Sequence, residues 1–308
     1  MSGRVEVVDL FAGPGGWDVA LAELGLRVVG LKWDRWACAT RAAGGHATIQ
    51  CDVAAYPVEP FRGVRGLVAS PPCQAWSNAG KGGGRKEIAK VHAAVELCRR
   101  GWTDAALAGP WADERTPLIL QPLRWAWGFR ESLEWIACEQ VPPCLPVWEH
   151  VADVLRSWGF DARARVLNAA DYGVPQTRER AVLVASRRAA RLPVATHAQH
   201  DAGMTDLFGG PPRPKWVTMA MALGWGMTER PALTLAPGTA SGGPDVVGGS
   251  GARAALERER TSGRWRLRGN QRPPGQDDYH SVPVDRPAQA LTGNTSAYRW
   301  IHERPATT

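Results

Sequence analysis

Cys73 stands in SPPCQAWSNAGKGGGRK (70–86), directly after the apolar run GLVAS (66–70). Pro71 and Pro72 stiffen the approach to it, so the thiol is presented at the end of a strand. Cysteine is reactive as a thiolate, partly exposed and in an electropositive setting. Lys81, Arg85 and Lys86 supply positive charge downstream, on a glycine-rich stretch able to close over a phosphate backbone. Three other segments carry groups of comparable promise. DLFAGPGGWD (9–18) follows the apolar run VEVVDL, and Gly13, Gly15 and Gly16 allow a tight turn with close backbone approach to a ligand. Trp33-Asp34 follows VVGLK (28–32) and Cys51-Asp52 follows a weaker strand signal around Ile49. Rings and carboxylates at successive strand ends suit an adenosine-type ligand. Glu139 ends WIACEQV (135–141), where a carboxyl can serve as a general acid or grip the edge of a base. In QTRER (176–180), Arg178 and Arg180 fall two apart, on one face of a strand, as an oxygen-rich substrate requires. Each feature also has a plain reading: a buried small thiol, an ordinary strand-to-helix turn, a solvated strand end, a salt-bridged edge strand.

The elements that must position these groups follow from periodicity. Short apolar runs at 5–10, 28–32, 66–70 and 135–141 read as buried strands, with a helical stretch from Trp17 to Leu24. Val147, Val151, Val154, Leu155 and Trp158 share one helical face. RARVLNA (163–169) and RAVLVAS (180–186) read as an antiparallel strand pair. Strands alternating with helices imply an open, mostly parallel sheet, with ligands at the carboxyl ends of the strands. From about residue 190 the pattern changes to turns and short extended pieces. ERPALT (229–234), DRPAQALT (285–292) and ERPATT (303–308) repeat one phrase there.

Composition narrows the class. The chain has 308 residues, 44% hydrophobic and 22% charged, an ordinary globular balance. No apolar run reaches the roughly 18 residues of a membrane span, and the first residues do not read as a secretory leader. Six cysteines without a CxxC pair argue against a disulfide scaffold or zinc ribbon, so no metal is expected. Net charge is +7. Residues 1–185 carry 21 basic and 20 acidic groups, and the remainder 16 and 10, so the excess is C-terminal. Nearly all of it is arginine, whose planar fork matches phosphate. Arg253, Arg258, Arg260, Arg264, Arg266 and Arg268 are candidate phosphate contacts, or a solvated helix face interleaved with Glu257 and Glu259. Most of the 15 tryptophans are read as packing, and Trp76, beside Cys73, is the one to watch.

Taken in order, the glycine-rich turn, Pro72-Cys73-Gln74, Glu139-Gln140-Val141 and Gln176-x-Arg178-x-Arg180 resemble the motifs of the DNA cytosine-5 methyltransferases. The resemblance runs from about residue 5 to 186. It implies an α/β fold: a Rossmann-like class I methyltransferase sheet (residues 1–189, holding the cofactor and nucleophile motifs) with a smaller, irregular β-rich target-recognition domain (190–308), shortened at its C-terminal end relative to the family. It implies S-adenosyl-L-methionine as cofactor, held by Phe11, Gly13, Gly15, Gly16, Lys32, Trp33, Asp34, Asp52 and Pro72. Double-stranded DNA is the implied partner, touched by Gln74, Ser77, Lys81, Arg85 and Lys86. Cys73, Glu139, Arg178 and Arg180 are the implied catalytic residues, acting on a cytosine swung out of the stack. A cytoplasmic, nucleoid-associated protein, prokaryotic or phage-encoded and of the restriction-modification kind, is the implied setting, with no membrane.

Two departures qualify the resemblance. The family carries an acidic residue before the strand-end Trp, bonding the ribose hydroxyls; here it is Lys32. A carboxylate accepts two hydroxyl bonds and an ammonium only donates. Asp34 takes over, or cofactor binding weakens, or Lys32 favours a modified, anionic SAM-type cofactor. The family's Gly-Asn-Ala-Val-Pro-like segment is echoed only by Gly293-Asn294, so a second polypeptide supplying the missing motifs is a further expectation. An RNA cytosine methyltransferase and a DNA-binding relative without catalysis remain as alternatives.

Overall fold

A computed structural model of the chain describes residues 4–76, 83–199, 213–218 and 222, and the strand backbones at 232–233, 265–269, 281–282 and 298–302. The chain forms two compact units, residues 1–167 with 179–194, and residues 168–178 with 195–308.

The first unit is α/β and Rossmann-like. In chain order it runs β1 (Val7–Leu10), α1 (Gly16–Glu23), β2 (Val28–Lys32), α2 (Arg35–Ala43), β3 (Thr48–Gln50), β4 (Gly66–Ala69), α3 (Gly83–Lys86), α4 (Ile88–Leu97), α5 (Gln121–Gly128), β5 (Trp135–Gln140), α6 (Leu145–Ser157), β6 (Asp161–Asn168) and, after β7 (Gln176–Thr177) of the second unit, β8 (Glu179–Ser186). The sheet order is β3-β2-β1-β4-β5-β8-β6. β1 to β5 pair in parallel, and β8 runs antiparallel to β5, Glu139 opposite Val182.

Alternation along the strands makes two cores, because successive side chains leave opposite faces. Val7, Val68 and Ala137 face Trp17 and Leu21 of α1. Val8, Leu10, Leu31, Leu67, Ile136 and Cys138 face the other way, into a larger core with Val91, Trp125, Val151 and Leu155. This double burial explains why the strands read as continuous apolar runs rather than alternating ones. α6 buries Val147, Trp148, Val151, Ala152, Val154 and Leu155, the expected stripe at helical spacing. The chain winds outward from β1 through β2 and β3, then returns to lay β4 on the other side of β1. Such a reversal of strand order, between β1 and β4, marks the place where open α/β sheets bind ligands, past the carboxyl ends of the strands.

The last two strands, β6 and β8, are neighbours at the end of the sheet, as the sequence implies, and β8 also bonds to β5. The reading of QTRER as one strand does not hold. β7 and β8 are separate strands, in different sheets and different units, with Arg178 between them, so period two does not carry from Arg178 to Arg180.

In the second unit, β7 pairs in parallel with β9 (Ala232–Leu233). β10 (Trp265–Gly269) lies between β11 (Ser281–Val282) and β12 (Tyr298–His302), antiparallel to both. Arg266 and Arg268 therefore belong to a strand rather than a helix face. Arg253, Arg258, Arg260, Arg264, Gly293-Asn294 and most of the repeated Arg-Pro-Ala phrases lie outside the described residues. Among the described residues no helix is long and apolar enough to cross a membrane.

Candidate active site

The turn after β1 is shaped by backbone conformation. Phe11 has φ 58°, which a side chain adopts only at a cost, and Gly15 has φ 118°. A Cβ on Gly15 would also meet His46 at 2.5 Å, so glycine is required there twice over. Gly15 starts α1 without a side-chain cap. Its first N–H groups are therefore left for a ligand or water.

Beneath this turn lies a network of buried charge. Arg41 of α2, fully buried, forks onto Asp18 with Nη1 to Oδ2 at 2.8 Å and Nη2 to Oδ1 at 2.6 Å. The same guanidinium reaches the Gly13 carbonyl at 3.5 Å, Thr48 Oγ1 at 2.9 Å and the Ala47 carbonyl at 3.3 Å. Asp9 Oδ2 lies 3.9 Å from Arg41 Nη1. Gly30 makes room for the guanidinium, since a Cβ there would meet Arg41 Nη2 at 2.0 Å. Burial pushes the Asp9 carboxyl well above its usual range, and the Asp18 charge adds to this; Arg41 and Lys32 offset only part. Asp9 Oδ1 is buried with no protein partner among the described residues.

These features bear on the implied cofactor. An orphaned buried carboxyl oxygen is an acceptor or, when protonated, a donor awaiting a group. A Cβ on Gly13 or Gly16 would meet nothing within 4 Å, so there is open space over the turn. Trp33, at the end of β2, is 75% exposed and Phe11 half-buried, which leaves both rings surface to offer a flat heterocycle. The residues present fit a nucleoside-bearing ligand.

The carboxylates at this edge are already partly engaged. Asp34 Oδ1 accepts from Ala37 N at 2.8 Å as the N-cap of α2. Asp52, exposed, accepts from Ala54 N at 2.9 Å. The expectation that Asp34 simply replaces the family's ribose carboxylate is therefore constrained: one of its oxygens is committed to the helix. Lys32 is half-buried, close enough to Asp9 to oppose its upward shift.

Cys73 follows β4 and is the one cysteine of six that is exposed. Cys98, Cys138 and Cys144 are buried. Burial raises the Cys138 and Cys144 thiols far above their usual range; for Cys144 the negative charges of Cys73 and Glu139 add to it. Both remain protonated and inert, and Cys144 marks Cys73 and Glu139 as common neighbours. Glu139, at the end of β5, pairs with Arg180 of β8, Oε1 to Nε at 2.6 Å. The antiparallel β5–β8 register brings the two together, Gln140 lying opposite Ala181.

Gln140 ties β5 to the segment that carries Cys73. It is buried, and Nε2 donates to the Pro71 carbonyl at 2.9 Å and the Pro72 carbonyl at 3.4 Å. Its Oε1 accepts from Val141 N at 2.7 Å. Prolines cannot donate from the backbone, but their carbonyls still need partners when buried. Trp17 adds a second tie, donating from Nε1 to Ser70 Oγ at 2.9 Å and linking α1 to the start of the Cys73 segment. Sequence reading treated Gln140 as a motif letter only and missed Arg41, Asp18 and Trp17. A buried arginine in a helix without an apolar stripe leaves no periodic signal.

The remaining expected residues divide as follows. Gln74 and Lys86 are exposed, Pro72 half-buried and Trp76 buried, its ring against Gly84. Trp76 is thus a packing residue rather than a surface one. Ser77 and Lys81 lie outside the described residues, as does the side chain of Arg85. Arg178 belongs to the second unit, where its N–H donates to Asn168 Oδ1 at 3.1 Å. Among the described residues no group of three His, Cys, Asp or Glu side chains is placed to hold a metal ion.

Residues 5–93 and 145–206 match the sequence profile described as C-5 cytosine-specific DNA methylase. Among curated proteins, the type II methyltransferase M.NaeI of Lentzea aerocolonigenes is 32% identical over 189 residues, which cover 59% of this chain and 40% of that protein. The type II methyltransferase M.MthTI of Methanothermobacter thermautotrophicus is 25% identical over 221 residues, 69% of this chain and 58% of that one. The chain thus spans about half the length of these relatives. Among solved structures, the methyltransferase EhMeth of Entamoeba histolytica is similar at 16% identity and a TM-score of 0.45, over 63% of this chain and 56% of that one.

Proposed function

The chain belongs to the C-5 cytosine-specific DNA methylase family, and on that premise we propose that it methylates C5 of cytosine in duplex DNA with S-adenosyl-L-methionine, through a covalent bond from Cys73 to C6. One observation carries this reading: the single exposed cysteine follows β4, and the neighbouring β5 ends in the ion-paired Glu139–Arg180, with Cys144 close to both Cys73 and Glu139.

The base must leave the stack, because C6 is out of reach of a side chain within it. Cys73 then attacks C6 as thiolate, and the electron pair moves to C5. Glu139 holds the N3 and amino edge. Its pairing with Arg180 keeps a cation beside the carboxylate while the edge gains and loses a proton. Gln140, by gripping the Pro71 and Pro72 carbonyls, fixes where the thiol points. The cofactor, when bound, supplies an electrophilic methyl group. Phe11 and Trp33 would flank its adenine, Asp52 would accept from the adenine amine, and Gly13, Gly15 and Gly16 would run under its amino-acid portion. Loss of the C5 proton and of the Cys73 bond restores the ring. Gln74, Ser77, Lys81, Arg85 and Lys86 would meet the DNA. Arg178 or Arg180 would meet the base O2, and residues 190–308 would choose the target.

The test is nucleoside mass spectrometry of DNA from cells expressing this chain, beside a Cys73→Ala control, with trapping on 5-fluorocytosine DNA. A Cys73-dependent gain of one methyl on cytosine and a Cys73-dependent covalent complex are expected. Unmodified cytosine with retained DNA binding would overturn the catalytic reading in favour of a binding protein.

Lys32 supports a second reading of the cofactor. With Asp34 committed to a helix cap, the edge of β2 presents an ammonium where the family presents a carboxylate. A SAM-type cofactor bearing an extra anionic group would suit it. A Cys73-dependent adduct heavier than one methyl, lost in Lys32→Glu, would establish this reading; a single methyl in both proteins would dismiss it.

A further inference from the structure

A cavity of about 340 Å³ opens in the first unit, lined by segments that lead into the amino ends of β4 and β5. Its walls come from residues 58–62, four positions before β4, and from 124–130, just before β5. Those are the amino ends of strands whose carboxyl ends lead to Cys73 and Glu139. Trp102, Asp104, Trp127 and Arg130 belong to the stretch 94–144, which the family profile does not match. That stretch also holds Glu139, so the separation rests on the lining itself, which includes no residue of the glycine-rich turn, nor Cys73, Glu139 or Arg180.

Its lining combines three kinds of group. The rings of Trp102 and Trp127 supply flat apolar surface, and Trp127 is itself braced by Trp158 at 5.1 Å between ring centroids. Arg62 and Arg130 stand exposed at the rim. The Arg130 guanidinium lies 4.9 Å over the Trp127 ring. Glu59 and Asp104 add carboxylates; Asp104 Oδ1 accepts from Trp102 Nε1 at 2.9 Å. Below them Arg124 is tied to the Val53 and Tyr56 carbonyls at 3.1 and 2.8 Å, which makes a rigid cationic floor.

We propose that this cavity binds a free nucleoside phosphate. A purine or pyrimidine would lie against the Trp102 indole, since the Trp127 ring already carries Arg130 on its face and Trp158 beside it. Ribose hydroxyls donate to carboxylates such as Glu59 and Asp104. A phosphate matches the planar forks of Arg62 and Arg130. The volume lies at the lower end of the range for small-molecule sites, about 300–1,000 Å³, which favours a mononucleotide over a dinucleotide. The proposal does not rest on the methyl-transfer reading.

The test titrates the full chain with AMP and CMP by calorimetry, with S-adenosylhomocysteine held at saturation so that the cofactor turn is blocked. One saturable event is expected. Arg62→Ala and Arg130→Ala, both at exposed positions, should each weaken it about tenfold, the loss of one charge-assisted contact. Adenosine, lacking phosphate, should bind at least about tenfold more weakly on the same ground. No saturable event would overturn the proposal. So would one abolished by S-adenosylhomocysteine, one unchanged in both variants, or one seen with a single-stranded oligonucleotide but not with mononucleotides.

Discussion

Beneath the glycine-rich turn the protein buries full charges, whereas behind the nucleophile it buries a neutral amide. Arg41, Asp18 and Asp9 hold the turn through a network in which every side chain is at least 97% shielded. Gln140 holds the Pro71-Pro72 backbone with two N–H bonds and no charge. The difference follows from what each region must leave in place. The turn has to present bare backbone N–H groups, so its support comes from below, and a guanidinium with five donors can grip several carbonyls and carboxylates at once. The nucleophile segment has to present a thiol beside an ion pair already formed by Glu139 and Arg180. A further buried charge there would disturb that balance; an amide does not. Buried charges respond strongly to losing a partner, and a neutral bond responds weakly.

Substitutions can break this comparison in turn. Removing the nucleophile itself, Cys73→Ala, should lower methyl transfer by roughly 10⁴-fold or more while leaving thermal stability and DNA binding near those of the parent. Single-turnover kinetics and a DNA-binding titration check both halves. Arg41→Met should cost about 3–5 kcal/mol of folding stability, because it strands Asp18 and worsens the burial of Asp9; urea denaturation measures it. Gln140→Leu leaves the Pro71 and Pro72 carbonyls without their donor. It should cost only about 1–3 kcal/mol, yet lower kcat without changing the affinity for S-adenosylhomocysteine. If Gln140→Leu proved as destabilising as Arg41→Met, the contrast between charged and neutral support would fall.

The last two effects are smaller and sharpen the picture of the cofactor edge. Asp34→Ala removes the cap of α2 and should cost about 1 kcal/mol; a greater loss in cofactor affinity than in stability would give the second Asp34 oxygen a binding role. For Asp9 the folded carboxyl is held above its usual range. The folded state therefore binds a proton more readily than the unfolded one. The stability this contributes is complete below the ordinary carboxylate range and is lost as pH rises through the raised value. Asp9→Asn should flatten that fall, so the variant gains on the parent as pH rises from 4 to 8, read as the difference in thermal midpoint.

Much of the first unit was legible because its strands are buried on both faces. Val7–Leu10, Gly66–Ala69 and the Trp135–Gln140 run stand out against their surroundings, and α6 has a clean apolar stripe. α2 was not legible. RWACATRAA offers no stripe; its buried residue is Arg41, and its start is a carboxylate that sequence reasoning had set aside for the ribose. At the far edge, strands 161–168 and 179–186 look like a pair and are neighbours in the sheet; only packing decides that the second also bonds to β5.

The sequence by itself determined the set of reactive groups and their placement at strand ends, because a period of two and an apolar run bounded by Gly or Pro are local properties. It also carried the family, through motifs a few residues long. Tertiary structure alone decided which groups meet. Arg180 reaches Glu139, 41 positions earlier in the chain, across the β5–β8 register. Arg41 reaches Asp18 through the gap left by Gly30. Gln140 reaches Pro71 from the next strand. Such contacts depend on the order and register of strands, which no single segment encodes, since they are fixed by the burial of all of them together.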